Sequence, residues 1–177
     1  MNLERMVPVT RGSGAHAPAG RATTRRAVPA VVNVVVAALL AWSGYIHYDL
    51  YANHGYRHIH TIGAAFLIQA GGSFAVALLL AVSVALPGSF VLSVLAAGLS
   101  GGALLGFVLS RTSGVAGFEE HGFVPAPDAA ISVIVEIAVL VILAVVAALR
   151  VRDLRRDPAP SGRVAGAGAA GGSIRAL

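Results

Sequence analysis

Residues 129–149 read AAISVIVEIAVLVILAVVAAL, an apolar run interrupted by a single charged residue, Glu136. A helix needs about 20 consecutive apolar residues to cross the hydrocarbon core of a bilayer. Three further runs meet this requirement, at residues 28–48, 62–86 and 90–110. The sequence therefore predicts an all-α fold, an integral membrane four-helix bundle with up-down-up-down topology. The predicted helices lie at about residues 28–52, 61–86, 89–110 and 128–150.

The overall composition agrees with a lipid environment. Of the 177 residues, 56% are hydrophobic and 12% are charged, and the mean hydropathy is +0.79. A water-soluble core cannot bury apolar runs of this length. The sequence contains no cysteine, which excludes disulfides, thiolate metal sites and cysteine nucleophiles.

The basic residues indicate how the helices are oriented. All 13 are arginines, and only Arg57 and Arg111 fall in connections between the predicted helices. The others flank the bundle, at positions 5, 11, 21, 25, 26, 150, 152, 155, 156, 163 and 175. An even number of spans puts both termini on one side, and the positive-inside rule makes that side the cytoplasm, at a bacterial cytoplasmic membrane. The arginine-rich tails are expected to contact anionic lipid headgroups and no nucleic acid, because no aromatic or motif signal accompanies them.

The segments outside the helices differ in character. Residues 1–27 and 151–177 lack hydrophobic periodicity and are predicted to be disordered tails. Pro87 and Gly88 predict a tight hairpin between the second and third helices. The third connection, residues 111–128, contains Phe118 and Phe123 and is expected to fold back over the outer end of the bundle.

Three glycines follow one another at four-residue spacing in the third helix: Gly98, Gly102 and Gly106. Small residues at this spacing let two helix backbones approach closely in a membrane. The row predicts helix packing, either within the bundle or in a homo-oligomer.

Three polar residues are predicted at one depth in the membrane. At ~1.5 Å per residue, His47, Gln69 and Glu136 lie roughly 9 to 12 Å below the outer ends of their helices. A carboxylate at that depth is costly unless it is paired, so Glu136 is expected to face inward with His47 as its partner. Ser73 or Ser132 would complete the network. Two interpretations are open: interhelical hydrogen bonds that only fix the packing, or a site for an ion, a proton or a ligand.

A second group of polar residues is predicted above this depth, on the outer face: His54, His58, His60, Glu119, Glu120 and His121. Imidazole and carboxylate groups together suit a metal ion such as zinc, copper, iron or nickel. The alternatives are an interfacial belt of aromatic and histidine side chains, or a pH sensor. Haem is disfavoured, because His47 is the only histidine well within a predicted span.

Catalytic motifs are absent from the sequence. It contains no glycine-rich phosphate loop, nucleophile elbow or HExxH segment, which argues against a conventional kinase, hydrolase or protease. An enzyme acting on a lipid or a quinone near the outer interface stays open as an alternative, although no residue pattern identifies its reaction.

Two stretches carry a resemblance. Residues 55–63 (GYRHIHTIG) with 66–69 (FLIQ), and residues 109–120 (LSRTSGVAGFEE), resemble segments of small uncharacterised four-helix integral membrane proteins of high-GC, actinobacterial-type bacteria. The similarity covers about residues 30–149. It implies a fold and a membrane location, and it assigns no functional residue.

These observations predict two classes of function. In the first, an outward-facing site with histidine and glutamate side chains binds a metal ion, a proton or a small membrane-soluble ligand. In the second, the chain is a structural or partner-binding membrane subunit without chemistry of its own, which associates with a second copy or with another membrane protein.

Overall fold

The computed structural model describes residues 20–83 and 90–156 as four α-helices and a short 3₁₀ turn. The helices are α1 (Gly20–Asn53), α2 (His60–Val82), α3 (Phe90–Thr112) and α4 (Asp128–Arg156), and the turn spans Tyr56–His58. All four are long and apolar enough to cross a membrane. The predicted all-α four-helix architecture is confirmed, and the chain is a multi-pass membrane protein in contact with lipid.

The helix ends depart from the predicted boundaries. Helix α1 begins at Gly20 and α4 ends at Arg156, so both continue into segments that the composition assigned to disordered tails. Arginine and alanine are strong helix formers, so a helix anchored in the membrane extends into such residues. The rest of the two tails and the predicted hairpin at Pro87 and Gly88 lie outside the described residues.

A buried apolar cluster joins all four helices. Helix α1 packs along α2 and α4, while α3 packs against α4 and α2. The cluster includes Leu40 from α1, Leu80 from α2, Ala96 from α3 and Val139 from α4. It is the core that sets the positions of the four helices.

A second cluster lies at the end of the bundle that carries residues 54–59 and 113–127, here called the loop end. Its buried members are Ile46, Leu50, Tyr56 and Ile62. Val115 and Phe118 of the third connection pack against it. This connection therefore folds back over the bundle, as its apolar residues predicted.

At the loop end, the start of α2 packs closely against the backbone of the 3₁₀ turn at Gly63. A Cβ atom at this position would lie 2.8 Å from the backbone oxygen of Tyr56. Gly55 has a φ of 84°, a left-handed conformation that favours glycine, and it lies two residues after the end of α1. The two glycines let the chain turn sharply from α1 into α2.

Candidate functional site

Among the described residues, the ionisable side chain with the least exposed surface is that of Glu136 in α4. Its side chain is 1% exposed. Ser43 of α1 donates a hydrogen bond of 2.5 Å to Glu136 Oε1. Ser100 of α3 faces the same carboxyl group, but its hydroxyl and Glu136 Oε2 have no hydrogen-bond partner within the described residues. Glu136 thus faces inward, as predicted for a carboxyl group in a membrane span.

His47 lies one helical turn beyond Ser43 on α1 and is 8% exposed. Its Nδ1 is 2.9 Å from the backbone oxygen of Ser43 and 3.5 Å from the Ser43 hydroxyl. No hydrogen bond involves Nε2 within the described residues. Ser43 therefore connects His47 to Glu136, and the two predicted partners do not bond directly in this part of the chain.

Two other residues of the predicted network, Gln69 and Ser73, form a separate contact between α2 and α3. Gln69 Nε2 donates to the backbone oxygen of Leu99 at 3.3 Å and to Ser73 Oγ at 3.5 Å. Ser73 is fully buried. The structure thus brings the predicted residues together in two groups, Glu136 with His47 through Ser43, and Gln69 with Ser73.

Ser43 was missed by the sequence analysis. It stands four residues before His47 and therefore on the same helix face. This spacing could have identified Ser43 as a partner of His47, but serine is also a frequent packing residue in membrane helices.

A cavity of about 240 Å³ lies between the four helices at the loop end. Most of its wall is apolar, and the largest apolar side chains in it are those of Leu50, Ile62, Phe66, Phe107, Val115 and Phe118. His47, Gln69 and Ser132 supply polar groups from α1, α2 and α4. One member of each group, His47 and Gln69, and the apolar residues of the third connection therefore line the same space.

The glycine row of α3 contributes to this cavity. Gly102 and Gly106 form part of the wall. A Cβ atom at Gly98, Gly102 or Gly106 would meet no described atom within 4 Å. Within the described chain the row is therefore not a surface of close helix packing, and two of its members keep the cavity open.

A group of three hydrogen-bonded polar residues covers the cavity on the side nearest the connections. It consists of Tyr56, Arg111 and Glu120 and is here called the clasp. Arg111 Nη1 lies 2.7 Å from Glu120 Oε2, and the Tyr56 hydroxyl donates to Glu120 Oε1. Arg111 also donates to the backbone oxygens of Gly122 at 3.0 Å and Val124 at 2.6 Å. Burial, together with the hydrogen bond to Glu120, raises the pKa of Tyr56 above its usual value. The clasp ties the third connection to α3 and to the turn after α1.

The residues predicted to bind a metal lie in different surroundings. Glu120 belongs to the clasp, and His58 accepts a hydrogen bond from Arg57 Nε at 3.0 Å. His60, Glu119 and His121 are exposed. Within residues 20–83 and 90–156, the structure does not bring these side chains together as one site.

His54 instead lies between two aspartates. Its Nδ1 is 3.4 Å from Asp49 Oδ2, and its Nε2 is 3.9 Å from Asp128 Oδ2. One ligand atom from each of the three residues lies within 4.8 Å of the others. Asp49 is further held by Asn53, whose Nδ2 donates to Asp49 Oδ1 at 2.7 Å. The group joins the end of α1 to the start of α4, and its donor atoms are types that bind zinc.

Comparison of the chain with known protein families, curated proteins and solved structures finds no match. A functional assignment therefore depends on the geometry of this chain alone.

Proposed function

We propose that this membrane protein binds a small membrane-soluble ligand in the cavity at the loop end. The observation that carries the proposal is the position of His47, which is nine-tenths buried, forms part of the cavity wall and has a ring nitrogen without a partner among the described residues. Apolar pockets with a few well-placed polar groups are typical small-molecule sites.

The volume of the cavity limits the size of the ligand. An engineered protein cavity of about 150 Å³ binds benzene. The space here, about 240 Å³, is therefore suited to a small ring or to the head and first carbons of a lipid.

The glycine row provides a matched pair of variants to test the proposal. Gly102→Leu places a side chain in the cavity, whereas Gly98→Leu adds the same side chain to the same helix row at a residue outside the cavity wall. We expect native mass spectrometry and organic extraction to find a bound small molecule on the wild type and on Gly98→Leu, and to find it lost from Gly102→Leu.

A different result would identify the cavity as a packing void. If the wild type carries no bound molecule and Gly102→Leu is more stable than both the wild type and Gly98→Leu, the site has no ligand. The function of a structural or partner-binding subunit would then be the better explanation.

The group formed by Asp49, His54 and Asp128 supports a second candidate function, the binding of a divalent metal ion at the loop end. Two carboxylates and an imidazole are a donor set that zinc accepts. Such an ion would link the end of α1 to the start of α4.

We also propose that the loop end faces away from the cytoplasm of a bacterial cell. Four arginines, Arg150, Arg152, Arg155 and Arg156, lie at the opposite end of α4. Arginine near the ends of membrane spans favours the cytoplasmic side. In this orientation the cavity lies in the outer leaflet.

A further inference from the structure

The hydrogen bond of His47 to Ser43 determines which ring nitrogen carries hydrogen. The backbone oxygen of Ser43 can only accept, so Nδ1 of His47, 2.9 Å away, must be the donor. A neutral imidazole with hydrogen on Nδ1 has a lone pair on Nε2. The free nitrogen at the cavity is therefore a hydrogen-bond acceptor.

The other polar groups of the cavity wall are largely occupied. The amide nitrogen of Gln69 donates to Leu99 and Ser73. At the loop end, Tyr56, Arg111 and Glu120 bond to one another, and the charges of Arg111 and Glu120 compensate each other. A charged ligand would have no free opposite charge among these groups, whereas an uncharged donor would satisfy His47.

The exposure of the cavity wall shows where the cavity meets the surface. Three residues of the wall are exposed, Ala65 on α2 and Gly102 and Gly106 on α3. In contrast, Leu50 and Ala129, which form the wall on α1 and α4, are buried. The cavity therefore opens on the side of α2 and α3.

Contacts between α2 and α3 limit this opening on the side away from the loop end. Gln69 bonds to the backbone of Leu99, and a Cβ atom at Gly72 would lie 2.9 Å from Leu99 Cδ2. Helices α2 and α3 are thus in contact at the level of Leu99. Between that level and the loop end they leave a gap. Because both helices are membrane spans, the gap faces the hydrocarbon of the bilayer.

We propose that the ligand is an uncharged lipid-soluble alcohol or phenol that enters from the bilayer between α2 and α3 and donates its hydroxyl hydrogen to His47 Nε2. This inference rests on the proposed ligand-binding function and adds the chemical class and the route of entry. The narrow cavity holds the head of the molecule, and its apolar tail lies in the gap and the surrounding lipid.

Two probes that differ in one hydrogen-bond donor test this class. Farnesol carries a hydroxyl on a long apolar tail, and farnesyl methyl ether has the same tail without the donor. Binding of each is measured to protein in nanodiscs of phosphatidylcholine and phosphatidylglycerol, with ¹⁵N-labelled histidine observed by NMR. We expect farnesol to bind about ten-fold more tightly, since the ether leaves a buried acceptor without a partner. Only farnesol should shift the Nε2 resonance of His47.

Variants connect this difference to His47 and to the cavity. His47→Phe should bind both probes equally, and His60→Phe, at an exposed residue outside the cavity wall, should keep the preference for farnesol. Gly102→Leu should weaken the binding of both probes. The NMR measurement on the wild type gives its result even if His47→Phe does not fold.

The outcomes separate the inference from the function on which it rests. Equal binding of the two probes to the wild type, abolished by Gly102→Leu, would overturn the donor class and leave the cavity as a ligand site. If neither probe binds to the wild type, the inference is overturned, while the proposed function is decided separately by the native mass spectrometry of the wild type and Gly102→Leu.

Discussion

Ser43 Oγ and Glu136 Oε1 lie 2.5 Å apart and join α1 to α4 in the interior of the bundle. Lipid offers no hydrogen-bond partner to a polar group, so such a group must be satisfied within the protein. Within the described residues, the second oxygen of Glu136 has no such partner. Ser43 is therefore central to the stability of the buried carboxyl group.

Ser43→Ala should destabilise the protein, because it leaves both oxygens of Glu136 without a hydrogen bond from the described residues. We expect a loss of about 1–3 kcal/mol in the free energy of unfolding. Unfolding in mixed detergent micelles measures it. Ser83→Ala is the control and should change stability much less, because among the described residues the Ser83 hydroxyl bonds only to the backbone oxygen of Leu80, three residues earlier.

Glu136→Leu gives this prediction a second test. In that background no carboxyl group depends on Ser43, so adding Ser43→Ala should cost clearly less than it does in the wild type. Equal costs in the two backgrounds would show that Ser43 and Glu136 are not energetically coupled.

The clasp residue Tyr56 should ionise at higher pH than free tyrosine. Burial is the main reason, and the hydrogen bond to Glu120 adds to it. Folding raises the pKa of this hydroxyl group, so its protonated form stabilises the folded state. This contribution is fully present below the unfolded pKa of about 10, and it is lost as the pH rises through the folded pKa. Ultraviolet titration should show a late tyrosinate phase that Tyr56→Phe removes. Glu120→Gln should move it only partly toward lower pH, because burial persists.

Gly63→Ala should destabilise the turn between α1 and α2. The new Cβ atom would lie 2.8 Å from the Tyr56 backbone oxygen and 3.1 Å from Arg57 Cα, neither of which can move without shifting the backbone. We expect a loss of about 1–3 kcal/mol. Gly71→Ala on the same helix meets no described atom within 4 Å and should keep or raise the melting temperature, since alanine favours a helix by up to ~1 kcal/mol. Equal melting temperatures for the two variants would contradict the close approach.

The fold was predictable because the bilayer makes sequence and structure correspond directly. A run such as residues 129–149 must form a helix, since its backbone groups can bond only to one another in lipid. The same argument stops at the membrane boundary, where water satisfies the backbone. The start of α1 and the end of α4 were accordingly the least accurate part of the prediction.

The sequence predicted the depth of the polar residues in the membrane, but it did not predict which of them form hydrogen bonds with one another. Counting along the helices put His47 and Gln69 at one level, and both line one cavity. The rotation of each helix about its axis depends on packing against its neighbours, which depth does not determine. For this reason the sequence favoured His47 as the direct partner of Glu136 and missed Ser43.

The loop histidines illustrate the same limit. Helix α1 ends at Asn53, Gly55 turns the chain, and within the 3₁₀ turn His58 accepts a hydrogen bond from Arg57. Only the folded chain brings His54 to Asp128, which is distant in sequence.

His54→Ala should weaken zinc binding at least about ten-fold if Asp49, His54 and Asp128 form a metal site, because one of three protein ligands is lost. Isothermal titration of purified protein with Zn²⁺ measures the affinity. His58→Ala is the matched control, since His58 lies outside this group, and it should bind zinc as the wild type does. No saturable binding to the wild type, or equal affinity of both variants, would contradict the site.

Single cysteines can determine the orientation of the bundle, because the sequence contains no cysteine of its own. Glu119→Cys places a thiol at an exposed residue of the loop end, and Leu154→Cys places one at the opposite end, where the side chain is exposed beside Arg155. A membrane-impermeant maleimide added to intact cells should label Glu119→Cys at once, because arginine-rich helix ends favour the cytoplasm. Leu154→Cys should be labelled only after the cells are permeabilised. The reverse pattern would place the cavity in the inner leaflet, and with it the source of any ligand that enters between α2 and α3.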